Sequence, residues 1–319
     1  MTTFKEISGQ LIRTLSSDPA NPQEGQIWYN STIGVLKGYK SIGAAWSSGG
    51  NLATGRSNLA GDGTQTAGLA FGGASPASNA TEEYDGTSWA PGGNMGTARS
   101  TLAGAGTQTA GLAFGGNPGT GPTNVTEEYN GTAWTGGGNL GTSRRVLAGA
   151  GTQTSGLAFG GFIPPPTNAT EEYNGTSWTA GGNMGTARYG LAGCGTQTAG
   201  LAFGGNPGGG ATNATEEYNG SAWTAGGNLN TSRRAFTGTG IQTAGLGFGG
   251  YAGGSGYLAA TELYNGTAWT NTASMTSGRG GLGRAGTNTA ALAFGGTGST
   301  TATEEYNDPS FATQTITTS

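Results

Sequence analysis

The chain repeats itself, and the repeat is short. The stretch GTQTAGLAFGG at 106–116 returns with small changes at 63–73, 151–161, 195–205, 240–250 and 286–296. Its phenylalanines, Phe71, Phe114, Phe159, Phe203, Phe248 and Phe294, fall 43 to 46 residues apart. A period in this range points to a solenoid or a propeller. One module there is too thin to cover its own apolar faces, and it becomes stable by stacking on copies of itself.

Each period holds four short segments separated by turn chemistry. In the second copy they read TLAGAGTQ (101–108), AGLAFGG (110–116), NVTEEYNG (124–131) and AWTGGGNL (133–140). Asn130–Gly131, between Tyr129 and Trp134, is a tight-turn signal because both residues tolerate positive φ. Glycine is costly inside helices, and no segment keeps a 3.6-residue apolar period. Each period therefore reads as a four-stranded antiparallel sheet. The 68 glycines do not make a collagen, since GAGTQTAG breaks the every-third spacing. Only 33% of residues are hydrophobic, a composition that also suits disorder. A disordered tract, however, has no reason to hold its aromatics at fixed offsets.

The glycine instead answers a packing problem. Along AGLAFGG, Leu112 and Phe114 face one way while Gly111 and Ala113 face the other. Large residues on one sheet can press into the shallow Gly/Ala face of the next. The TLAGAGTQ strand is expected nearest the axis, where sheets crowd together, with Tyr and Trp on outer strands.

The order of markers carries a resemblance. A hydrophobic stretch ends in Gly115–Gly116, followed by Tyr129, Trp134 and Arg144, and again by Gly160–Gly161, Tyr173, Trp178 and Arg188. This pattern resembles the kelch repeat over about residues 46–311, with a slightly shorter period and strands richer in Gly and Ala. The resemblance implies a β-propeller of four-stranded blades around a central channel. The expected fold is all-β: an N-terminal segment with a hairpin over 1–45 and a propeller over 46–319. Six blades are the simplest count, with the Trp46 strand completing the last sheet as a clasp and Phe311 standing where that copy lacks its Trp. Seven blades follow if QIWYN, GVLKGYK and AAW pair with the C-terminal ATQTITTS.

The copies can be compared with one another. The first Glu of TEEY is kept as Glu82, Glu127, Glu171, Glu216, Glu262 and Glu304, and one Arg keeps the same period as Arg56, Arg99, Arg144, Arg188, Arg233 and Arg279. A half-buried charge needs a partner, so Glu and Arg are expected to pair. The second Glu becomes Leu263 in one copy, which suggests that it faces solvent. Cys194 stands where sister copies have Ala105 and Ala150, so it is expected to fill a small buried slot, and one cysteine forms no internal disulfide.

Chemistry is scarce. The chain has no His, hence no Ser-His-Asp triad, Cys-His pair or His metal site, and it has no P-loop or EF-hand pattern. Six equal carboxylates around a ring do not converge on one substrate, so no catalytic residue, metal or cofactor is expected. A formal charge of -4 and a pI near 4.9 argue against nucleic acid as partner. The sequence has neither a secretory h-region nor an 18-residue apolar run, so no membrane insertion is expected.

The segment NPQEGQIWYNSTIGVLKGYK resembles short modules near the N-termini of tailed-phage virion proteins. Its pairing with Gly-rich kelch-like repeats is similar to structural proteins of marine and cyanobacterial phages. The resemblance implies a virion protein attached to other virion proteins through its N-terminus and present in several copies. It would be tail- or fibre-associated, with capsid decoration as the alternative and a glycan-acting propeller enzyme third. What varies between copies is the loop between the second and third strands. Phe162, Ile163, Tyr251, Tyr257 and Leu258 lie in these loops, and Arg145 and Arg234 lie on connections that leave the same face. Apolar residues in loops suit a binding face for a host-surface glycan or protein.

Overall fold

The structure, a computed structural model, describes residues 6–7, 10–19, 25–40, 43–74, 76–308 and 312–315. It divides into two compact units, Trp46–Asn307 and a second made of Met1–Ala45 with Asp308–Ser319.

The larger unit is a β-propeller. Blades 1 to 5 each run outward through four consecutive antiparallel strands, from Ala60–Thr64 to Trp89–Pro91, Ala103–Thr107 to Trp134–Gly136, Ala148–Thr152 to Trp178–Ala180, Ala192–Gly195 to Trp223–Ala225, and Thr237–Ile241 to Trp269–Thr272. Blade 6 takes Gly283–Gly286, Ala290–Phe294 and Thr303–Asn307 from its own repeat and Ala45–Ser48 as its outermost strand. Each innermost strand contacts the next, and that of blade 6 contacts that of blade 1. The Trp46 strand is thus the clasp that closes the circle and covers an open sheet edge.

Among the described residues there are seven four-stranded sheets. The seventh belongs to the smaller unit. Ile27–Asn30 and Val35–Lys40 form the expected hairpin, Arg13–Leu15 joins it in parallel, and Ala312–Thr315 pairs antiparallel with Val35–Lys40. The chain beyond Asn307 therefore groups with the N-terminal segment instead of extending the propeller to 319. The physical reason is that Ala45–Ser48 already occupies the outer position in blade 6. In this unit Trp28 is fully buried, and its Nε1 donates to Asp18 Oδ1 at 3.1 Å. Asp18 also accepts from Asn30 and Lys37, and these bonds hold its carboxyl down at about 2. Phe311 and the NPQE stretch lie outside the described residues.

The glycines sit where large side chains of the preceding blade arrive. A Cβ on Gly156 would meet Leu112 Cδ2 at 2.8 Å, and one on Gly149 would meet Phe114 Cζ at 2.6 Å. The same fit recurs as Leu69 on Gly111, Leu157 on Gly200 and Phe294 on Gly61. All these Leu and Phe side chains are fully buried. Burying one aromatic removes about 150–250 Å² from water, roughly 4–6 kcal/mol gross.

Polar links between blades repeat as faithfully. Gln108, Gln153, Gln197 and Gln242 each donate two bonds to backbone carbonyls of the preceding blade, Gln153 to Gly111 O at 3.0 Å and Tyr129 O at 2.7 Å. The indole N–H of Trp178 donates to Thr126 Oγ1 of the preceding blade at 3.0 Å, as Trp46 does to Thr261 at 3.1 Å. The second Glu of TEEY is not a free surface group. Glu83, Glu128, Glu172, Glu217 and Glu305 each accept the hydroxyl of a tyrosine in the following blade, at 2.5–2.6 Å. Burial and this bond push the tyrosine hydroxyls up to about 12. The substitution at Leu263 marks a lost link between blades.

Candidate functional site

The variable loops stand on constant stems. Arg99 Nη2 reaches Glu127 Oε1 at 3.0 Å, and its Nη1 donates to Gly115 O and Val125 O, the two ends of the variable loop. Glu127 Oε2 accepts the Gly96 N–H at 2.6 Å. The same arrangement holds Arg56–Glu82, Arg144–Glu171, Arg188–Glu216, Arg233–Glu262 and Arg279–Glu304. The expected pairing is therefore present in all six blades. Burial lowers the Arg99 guanidinium to about 10 and Glu127 pulls it back, so it stays charged at neutral pH. The pairs anchor loop stems and leave the loop tips free to differ.

At the tips, a short bridge ties each loop to the connection entering its own blade. The bridged pairs are Ser57–Ala74, Ser100–Asn117, Arg145–Phe162, Tyr189–Asn206 and Arg234–Tyr251. Blade 6 repeats the contact with Gly280 and Thr297 at 2.8 Å. One half of this rim is small and polar. The other half, on blades 3 to 5, carries two arginines and four aromatic rings. Arg145 lies over the Phe162 ring at 5.5 Å, and Phe162 meets Tyr189 at 5.0 Å. Arg234 lies over Tyr251 at 5.3 Å, and Tyr251 meets Tyr257 at 5.4 Å. Tyr257 is 49% exposed. Of the residues singled out from sequence, five join these two stacks. Ile163 and Leu258 do not; both are half-buried, and Leu258 serves the loop stem through Gly250 and Arg279. Tyr189 was missed because basic residues were the signal on the connections, and Tyr189 stands there where blades 3 and 5 carry Arg145 and Arg234.

Inside the rim the backbone closes a circle of its own. Thr101, Val146, Gly190, Ala235, Gly281 and Asn58 each donate their N–H to the carbonyl of the preceding member, at 2.8–2.9 Å. All six sit at φ between 51° and 63°. Val146 is β-branched and so strained in this conformation. The circle offsets that strain with one hydrogen bond per blade.

Below the circle lie two cavities on the axis, of about 110 and 120 Å³, both lined by equivalent residues of all six innermost strands. Here the copies depart from one another. Asp62, Cys194 and Thr239 occupy the position that is Ala105, Ala150 and Ala285 elsewhere, and Arg284 occupies a position that is glycine in the other five blades. Arg284 lines both cavities, and its Nη2 donates to Gly149 O at 2.9 Å. Since Gly149 belongs to blade 3, the side chain spans the axis from one side of the ring to the other. Cys194 is buried as expected, and burial pushes its thiol up to about 12. Asp62 is 5% exposed, its Oδ2 has no hydrogen-bond partner, and burial pushes its carboxyl up to about 8 against the pull of Arg284.

Compared with protein-family models and with curated proteins, the sequence matches none. The two candidate places therefore rest on their geometry: an asymmetric rim and an asymmetric axis. Asp62 and Arg284 were detectable in sequence by the same comparison that drew attention to Cys194. LAGDG and LGRAG depart from LAGAG as plainly as LAGCG does.

Proposed function

We propose that this chain is a non-enzymatic component of a tailed-phage virion, tail- or fibre-associated, and that its propeller binds a host-surface glycan or protein on the rim of blades 3 to 5. The N-terminal segment carries attachment to other virion proteins, by its resemblance to virion modules. The observation behind the binding role is the confinement of Arg145, Phe162, Tyr189, Arg234, Tyr251 and Tyr257 to half of the loop face. An aromatic face with a guanidinium stacked on it suits sugar rings and their polar substituents. Arg145 and Arg234 have no carboxylate partner among the described residues, although the chain is net negative. The six repeated Glu–Arg pairs use their carboxylates in holding loop stems, which favours a scaffold over an acid–base catalyst.

Excess purified protein should slow adsorption of the phage to its host, and the double variant Arg145→Ser, Arg234→Ser should compete much less while melting at the same temperature. Adsorption that is indifferent to any excess of the wild-type protein removes the receptor-binding role.

A further inference from the structure

We propose that the axial cavity of about 120 Å³ is a binding site for a small oxyanion, held by Arg284 with Asp62 of the adjacent blade 1 on the same wall. The position of the strands explains why the axis is polar at all. Thr196 and Ala199 exchange both backbone hydrogen bonds at the hairpin end of blade 4. In an antiparallel pair the bonded and non-bonded residues alternate. Gly195 and Gly193 therefore turn their N–H and C=O away from the second strand, toward the axis, and the other blades repeat this register. The cavity wall is a set of backbone donors and acceptors with two charged side chains inserted into it.

Arg284 uses one nitrogen on Gly149 O, and its Nε and Nη1 make no hydrogen bond among the described residues. No carboxylate among the described residues lies within ion-pair distance of it. A guanidinium with unfilled N–H donors on a cavity of about 120 Å³ suits a small oxyanion. Asp62 is the second, independent indication: a nearly buried carboxyl on the same wall whose Oδ2 has no partner. Its blade-5 counterpart, Thr239, donates its hydroxyl to Gly286 O. A protonated Asp62 has the same kind of O–H to give, and it puts no negative charge beside a bound anion.

The titratable and charged groups on the cavity are Asp62, Cys194 and Arg284. Cys194, held up at about 12, stays neutral. With Asp62 raised to about 8, its carboxyl is neutral below that pH and anionic above it, so anion binding should weaken as pH rises past about 8.

Sulfate and acetate, whose charges are constant from pH 6 to 10, are suitable probes for calorimetry at fixed ionic strength. The wild-type protein should bind at least one of them saturably at pH 6.5. Arg284→Gly, which restores the residue found in the other five blades, should weaken binding roughly ten- to hundredfold. Arg284→Gln keeps a polar side chain without the charge and should weaken binding similarly. Wild-type affinity should fall about tenfold or more between pH 6.5 and 9.5, whereas Asp62→Ala should show a flat profile. Absence of saturable binding, or equal binding by Arg284→Gly, would overturn the site and leave Arg284 as a strut across the axis. A flat wild-type pH profile would remove Asp62 from it.

Discussion

Blades 3 and 4 meet across an interface that recurs around the ring; blades 5 and 6 meet across one that has lost most of its links. At the first, Phe159 and Leu157 press on Gly193 and Gly200, where a Cβ would stand 2.3 and 2.7 Å from them. Gln197 donates to Gly156 O and Tyr173 O, and the Tyr218 hydroxyl reaches Glu172 at 2.5 Å. At the second, Arg284 and Ala291 replace the two glycines, Asn288 replaces the glutamine, and Leu263 replaces the glutamate. The Tyr306 hydroxyl meets Thr272 Oγ1 at 3.0 Å, and Thr239 bonds to Gly286 O. Blade 6 is also the one completed by the distant Ala45–Ser48 strand. A closed ring can carry one loose joint, because the other five fix its geometry. The joint is also where a glycine could become an arginine, and that arginine is the charge on the axis.

The largest effect should lie inside blades, where both regions are alike. Glu216→Gln and Glu304→Gln each leave a buried guanidinium without its charge partner, in blades 4 and 6 respectively. Both should cost about 3–5 kcal/mol by denaturant unfolding. A much smaller cost for Glu304→Gln would mean that the looseness reaches into blade 6 itself. Next come the packing glycines. Gly200→Ala puts a methyl group against Leu157 and should cost about 1–3 kcal/mol, whereas Ala291→Gly at the loose joint should stay within about 1 kcal/mol. Equal costs would erase the distinction.

Much of this was legible in the repeat. The Gly/Ala face opposed to Leu and Phe, the Arg–Glu series and the Trp46 clasp all follow from comparing copies, because each is a local pattern that recurs. Three things were hidden for physical reasons. The role of Glu172 depends on a tyrosine one repeat further on, so its loss at Leu263 looked like exposure when it was a missing partner. The backbone circle through Thr101 and Val146 leaves no residue signature, since six different contexts adopt the same positive φ. The rim stacks needed Tyr189, whose neighbour Phe162 is brought to it only by the ring.

The polar links give a finer comparison. Gln197→Ala strips two buried carbonyls of their donor and should cost about 1–2 kcal/mol, while Asn288→Ala should change stability by less than about 0.5 kcal/mol, each read from the denaturation midpoint.

The smallest effect is the most informative, because it is a gain. Leu263→Glu with Asn288→Gln restores at the loose joint the residues that the other interfaces use. Tyr306 would then have the carboxylate that Tyr264 has in Glu217 at 2.6 Å, and the amide would face the preceding blade's carbonyls as Gln242 does. Stability should rise by about 0.5–1.5 kcal/mol. No gain would mean that residue identity is not what loosens the joint, and that the Arg284 side chain keeps the two blades too far apart for the restored groups to reach. Adding Arg284→Gly to the pair separates these causes. If the gain appears only in the triple variant, the ring gives up a tight joint in order to place a cation on its axis.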